Sequence, residues 1–275
     1  MERVAIYLSM SIIVVFTILV FLGDSIAPHS PTEGIIQDRL LPPVWQNGGS
    51  KKYLLGTDSL GRCILSRTMS GAKYSLVISV VSVVLSAVIG VSAGLISGFL
   101  GGVAGSVIMG VVDLLLAFPT LVLGLLLGIT LGPSMSTMII VMVIAQWARF
   151  TRQVHGEVLS LKESDFVAYA HMCGCSSARI ILRYLLPNVM NTVLVFMSLQ
   201  VGWTIIFESS LSFLGAGIPP PLPGWGLMVA DGREYITRAW WVSLIPGGAI
   251  MITILAFNTM GDWVRDRLDP HLRQL

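Results

Sequence analysis

Apolar residues run along this chain in long blocks, and polar residues gather in the gaps between them. Six blocks read as helices built to cross a hydrocarbon layer of about 30 Å: residues 4–22, 76–99, 103–131, 135–148, 189–213 and 239–264. The fourth is short, set between Gly132-Pro133 and Arg149. The second carries Ser82, Ser86, Gly90, Gly94, Gly98 and Gly102 at every fourth position. That spacing puts a smooth ridge on one helix face, where a neighbouring backbone can approach closely. Pro119 and Pro246 fall inside blocks and mark bends, tolerated where neighbours satisfy the freed carbonyl. The first block exceeds the roughly 7–15-residue core of a secretion signal and reads as a retained helix. The pattern predicts an all-α integral membrane protein with six transmembrane helices.

Composition agrees. Hydrophobic residues make up 54% of the chain and charged residues 12%, against about a quarter charged in a soluble domain. A net charge of +2 gives no ground for a nucleic-acid partner. Cys63, Cys173 and Cys175 suggest no disulfide framework. Cys173-Gly174-Cys175 lacks the second Cys or His cluster that a four-ligand metal site needs. No glycine precedes any lysine, so the phosphate-cradling loop of an ATPase is missing. No nucleophile–base constellation is legible either. The reading is a non-enzyme that binds no metal or cofactor itself. Basic residues divide nearly evenly between the two sides of six spans, so charge alone barely orients the chain.

The conspicuous polar island spans residues 165–188, inside the loop 150–188 that separates two apolar blocks. Within it, Asp165 suits the positive end of a short helix. Phe166, Ala170 and Cys173 recur at helical spacing, with Tyr169 beside them and Val167, Ala168 and His171 completing the turns. Gly174 can take the left-handed conformation that stops a helix. Pro187, after Leu186, predicts a break before the next span. Two readings stand level on these residues: a helix inserted into a partner's groove, or an amphipathic helix resting on headgroups.

Two acids lie in or near spans, where charge is costly and marks a water-filled path or a lock between helices. Glu208, followed by Ser209 and Ser210, suits a lock; Asp113 suits either role and is expected to face the bundle interior. Trp203, Trp225, Trp240, Trp241 and Trp263, near span ends, read as interfacial anchors.

Ordered blocks then suggest a family. Ala168-Tyr169-Ala170, Gly174, and Tyr184-Leu185-Leu186-Pro187 resemble the cytoplasmic signature loop of bacterial ABC importer permeases, with Tyr169 and Tyr184 departing from the usual pattern. The stretch 55–67, LGTDSLGRCILSR, resembles the block before the second span, with Cys63 where Asp is common. DLLLAFPT at 113–120, ESSLSFLG at 208–215, Pro220-Pro221 and Gly224-Trp225-Gly226 follow in order. Asn258, Gly261-Asp262 and Arg265 to Pro270 close the series. Together they resemble the dipeptide, oligopeptide and nickel branch of these permeases.

The resemblance implies a type I importer permease fold in the bacterial inner membrane, with both termini cytoplasmic. It divides the chain into a first helix and long periplasmic loop (1–75), a permease core (76–264) and a cytoplasmic tail (265–275). It implies a second homologous permease subunit, two ATPase subunits carrying ATP and magnesium, and an extracytoplasmic substrate-binding protein, besides membrane lipid. It implies that residues 165–171, 173, 174, 186 and 187 belong to the ATPase-coupling loop. Peptides and nickel or metal chelates are both carried within this branch. An ion-coupled secondary transporter is the reading from another class, and a membrane enzyme a third; the secondary transporter is disfavoured because no internal repeat is seen.

Overall fold

The computed structural model describes residues 2–268 and is all helical apart from one isolated bridge between Thr57 and Cys63. The expected tail residues 269–275, with Asp269-Pro270, His271 and Arg273, lie outside the described residues. Helix α1 (Glu2–Ile26) leads into an irregular segment before α2 (Ile64–Leu100). Next come α3 (Gly102–Ala117), α4 (Thr120–Leu131) and α5 (Met135–Lys162). The short α6 (Asp165–Met172) and α7 (Ser177–Ile180) precede α8 (Leu186–Phe213). Helix α9 (Trp225–Gly232) and α10 (Trp241–Leu268) complete the order.

Among the described residues, four helices are long and apolar enough to cross a membrane, and a bent pair, α3 with α4, raises this to five. The expected fourth span does not stop at Arg149. Helix α5 continues to Lys162, and its second half carries Arg149, Arg152, Glu157 and Lys162, which keeps it from qualifying on composition. Nothing at Arg149 breaks a helix, since arginine has high helix propensity and its stem packs readily. The third block is not one helix either. Pro119 excludes the helical region for Phe118, which is extended at φ −77° and ψ 139°. Helices α3 and α4 therefore meet at 91°.

Pro187 behaves differently from expectation. Residues 177–213 form one 37-residue helix without a break. A π turn over Ile181–Leu185 widens the helix just before the proline. The extra residue in that turn takes up the missing N–H and the ring's steric demand, so the helix carries on.

The centre of the molecule is the pair α2 and α5, which run parallel at a constant offset of about sixty residues. Backbone atoms of Trp147 and Thr151 face Gly90, Val154 faces Gly94 and Val158 faces Gly98. Ser82, Ser86, Gly90, Gly94 and Gly98 are all buried, as are Met142, Gln146, Phe150, Val154 and Val158. A Cβ at Gly94 would lie 2.7 Å from the Val154 Cβ and 2.9 Å from the Thr151 carbonyl oxygen. Only a bare backbone leaves room, so the every-fourth-residue ridge is a packing surface.

Polar bonds add to the fit. The Thr204 hydroxyl of α8 donates to Gln146 Oε1 of α5 at 3.1 Å, deep in the bundle. Helix α2 also packs against α1, α3, α8 and α10, while α1 rests on α2 and α10 with most of its surface open. Trp225 and Trp241 are not interfacial. Both are buried, and their indole N–H groups donate to the carbonyls of Thr68 (2.9 Å) and Thr57 (3.1 Å).

Gly94→Leu is expected to destabilise the chain by about 1–3 kcal/mol or more, the usual range for overpacking. Gly156→Ala on α5, with no heavy atom near the new Cβ, should be neutral. Thermal midpoints of the purified chains in detergent test the contrast, and equal midpoints would contradict the packing argument.

Candidate functional site

The polar island folds into a short crosswise helix with two distinct faces. Helix α5 ends at Lys162, the chain turns through Glu163 and Ser164, and α6 begins at Asp165. Val167 and Ala170 are buried, joining an apolar cluster with Val91, Leu95, Phe99, Val154 and Val158. Phe166, Tyr169 and Met172 point outward, 36%, 62% and 72% exposed. Asp165, Ala168, His171 and Cys173 are exposed as well. The expected grouping of Phe166 with Ala170 is thus corrected. Ala170 faces inward because the helix needs a small residue against the bundle, and the outward stripe is Phe166–Tyr169–Met172 at three-residue steps.

Gly174 stops α6 as expected, with φ +72°. The Cys175 N–H donates to the Ala170 carbonyl at 3.1 Å and the Gly174 N–H to the His171 carbonyl at 2.9 Å. This is the paired-bond stop that a left-handed residue permits. Leu186 and Pro187 are not on α6. Leu186 packs against the inner apolar cluster and Pro187 is exposed on the first turn of α8.

Phe99, on the last turn of α2, links α6 to the bundle. The His171 ring lies parallel to it, 4° apart in plane with centroids at 5.9 Å. Lys162 Nζ donates to the Phe99 carbonyl at 2.8 Å and sits 5.7 Å from the ring centroid. A cation on the last carbonyls of a helix offsets the negative end of its dipole. Sequence reading missed Phe99 and Lys162, although a lysine closing a helix beside a turn was a visible signal.

The two acids separate. Glu208 is buried, accepting from the Ser212 hydroxyl at 2.7 Å and the Ser75 hydroxyl of α2 at 3.4 Å. Ser75 also accepts the Trp225 N–H, at 3.4 Å. Glu208 therefore ties α8 to α2 beside the start of α9. Asp113 is not inside this chain's bundle. Its side chain is 63% exposed and pairs with Arg152 of α5, itself 51% exposed. The reason is its place on α3, where Gly105 and Val112 make the buried face and Asp113 falls to one side.

At the opposite end of α2, the block 55–67 is a buried ionic knot. Arg62 Nε donates to Asp58 Oδ2 at 2.6 Å, and Asp58 Oδ1 accepts the N–H groups of Leu60 and Arg62 at 2.9 Å each. Arg67 Nε lies 3.5 Å from the same carboxylate. Asp231, on α9, approaches Arg62 at 3.6 Å and Arg67 at 3.9 Å. Burial pushes the Asp231 carboxyl up from its ordinary range, and the two arginines draw it back. Four charges thus join the irregular segment, α2 and α9. Asp58 and Arg62 stand four apart in a chain poor in charge, a signal the sequence carried.

Residues 90–274 match the family model described as binding-protein-dependent transport system inner membrane component. The chain belongs to that family. It is 40% identical to the dipeptide transport system permease protein of Escherichia coli K12 over 263 residues, 96% of this chain and 87% of the relative. It is 38% identical to a di/tripeptide transport system permease protein of Pseudomonas aeruginosa, covering 90% of this chain and 82% of the relative. An oligopeptide transport system permease protein of Bacillus subtilis shares 42% identity, over 82% of this chain and 74% of that protein.

The permease is therefore a multi-pass protein of the inner membrane. The family match takes in α6, Phe99, Asp113, Glu208 and Asp231, while Asp58, Arg62 and Arg67 of the ionic knot lie before it and within the wider alignment to the relatives. Asp58→Ala would leave Arg62 and Arg67 buried beside a missing partner. Breaking a buried pair in this way typically costs about 3–5 kcal/mol. A sharp fall in folded permease by size-exclusion chromatography is expected, while Lys52→Ala, at the exposed Lys52–Asp38 pair, should leave recovery unchanged.

Proposed function

We propose that this permease is one of two membrane subunits of an ATP-driven importer that carries peptides from an extracytoplasmic binding protein into the cytoplasm. Six crossings fit the helices described. They are α1, α2, the bent pair α3–α4, α5, the helix through α8, and α10. Helix α5 counts because it runs beside α2 in fixed register, so where one crosses the other crosses. An even number puts both termini on the side of α6, the cytoplasm. The peptide substrate rests on the names of the relatives, which are transport permeases for dipeptides, di/tripeptides and oligopeptides.

The carrying observation is α6, whose outward stripe of Phe166, Tyr169 and Met172 is held at the tip of the bundle and left open by the described residues. Such a helix suits insertion into the groove of a separate ATPase subunit. ATP and magnesium sit on the two ATPase subunits. Their closure moves α6, His171 and Lys162 pass the displacement to Phe99, and α2 shifts together with α5. The cavity between the two permease subunits then opens alternately to each side. The ionic knot at the outer end keeps α2, α9 and the outer segment together as the helices rock, below the surface on which the binding protein delivers its load.

The double change Phe166→Ala and Tyr169→Ala should weaken ATPase attachment, since truncating an interface anchor typically costs about 2 kcal/mol or more. Pull-down of the ATPase with wild-type and doubly substituted permease tests this, and undiminished recovery would favour a helix resting on headgroups. A reporter fused after Leu275 should register on the cytoplasmic side; a periplasmic signal would overturn the six-crossing topology.

A further inference from the structure

Helix α3 has two exposed stripes of opposite character. Val103, Val107, Val111 and Leu114 are bulky, apolar and exposed, as lipid requires. Roughly a quarter-turn away lie Ser106, Gly110, Asp113 and Ala117, also exposed, all small or polar. A Cβ at Gly110 would meet no heavy atom within 4 Å. Across from this stripe, α5 exposes Arg152, Gln153, Gly156 and Ser160, with Leu159 as the one bulky apolar side chain among them. One turn before Arg152, the Arg149 guanidinium lies 4.0 Å from the Trp203 ring centroid.

The depth of this polar strip decides its meaning. By the constant offset between α2 and α5, Arg152 is level with residue 92, about 12 Å inside the end of α2 at Leu100. Between that level and the end, α2 exposes Ile96 and Leu100. An ion pair at a depth where a neighbouring helix shows bulky apolar side chains is not a cytoplasmic surface pair. Charges at such depth face a water-filled cavity or one another rather than acyl chains. Here they face one another and remain open on the outside of the chain.

We infer that the Asp113–Arg152 pair lines the translocation path and meets the charged termini of the passing peptide. This rests on the peptide-importer reading above. Arg152 offers a planar fork of donors to the substrate carboxylate. Asp113 accepts from the substrate ammonium. The pair trades its internal bond for two bonds to a zwitterion and re-forms behind it, so neither charge is left bare. The small residues around it leave room for side chains of differing size. The chemical class recognised is a short peptide with both termini free.

Thiol labelling of the assembled complex tests the path itself. With Cys63, Cys173 and Cys175 replaced by serine, Gly110→Cys leaves the ion pair intact and Val107→Cys sits on the bulky stripe. A charged, membrane-impermeant methanethiosulfonate applied to inside-out vesicles should modify the first and spare the second. Labelling of both would show that α3 stands in water, and labelling of neither that the polar stripe is sealed; either result overturns the inference. Recognition is tested by the swap Asp113→Arg with Arg152→Asp, which keeps the attraction between α3 and α5 but reverses the polarity presented. Import of a dipeptide with free termini should fall by about tenfold or more, as when like charges are brought together at a binding surface, with ATPase co-purification unchanged. Full import by the swapped permease would reduce the pair to a latch between helices and overturn the assignment. If the wild-type complex imports no peptide while Gly110→Cys labels as expected, the substrate reading fails and the path stands.

Discussion

The parallel contact between α2 and α5 is the constraint from which the rest of this permease follows. Glycine and serine along α2 bring its backbone against Trp147, Thr151 and Val154 of α5. In lipid, helices gain little from hiding apolar surface, so close backbone approach and a few shared hydrogen bonds must hold them. A ridge with no side chains to bend aside also leaves no alternative register. The two helices behave as one beam, with the ionic knot at one end and α6 at the other.

This arrangement joins a short surface helix to the interior of the bundle. Helix α6 touches the beam through Val167 and Ala170 and through the His171 ring on Phe99, while Lys162 of α5 ties the Phe99 carbonyl beside it. Each contact lands on the last turns of α2 or α5. Packed elements of this kind shift as bodies instead of deforming smoothly. The sharp stop at Gly174 releases α6 from the direction of the helix that begins at Ser177. Without it α6 could not lie across the bundle.

Polar groups inside the bundle have separate duties. Gln146 and Thr204 join α5 to α8, and Glu208 joins α8 to α2 beside α9. All are enclosed within one chain, which suits bonds that stay made. Asp113 and Arg152 are the exception, paired yet open to the outside of the chain. Burial thus separates bonds enclosed within the chain from a pair left accessible on its outside.

Much of this was legible from the order of residues alone. Apolar block length, scarcity of charge and the small-residue ridge specify a helical membrane protein, because bilayer thickness and backbone hydrogen bonding leave few other solutions. Gly174 as a helix stop and Glu208 as a lock were likewise readable, since backbone freedom and the cost of a buried charge are local properties. Only the tertiary structure decided where helices end and which way side chains point. Arg149 ended an apolar block but not a helix, because helix continuity follows backbone compatibility and not polarity. Ala170 turned inward and Met172 outward, because the neighbouring helix claims the small side chain. Trp225 and Trp241 left the interface for the core once Thr68 and Thr57 supplied carbonyls for their indoles. Asp113 took the outside of its chain because its burial depends on the angle at which α3 leans on α5, and no span of sequence contains that angle.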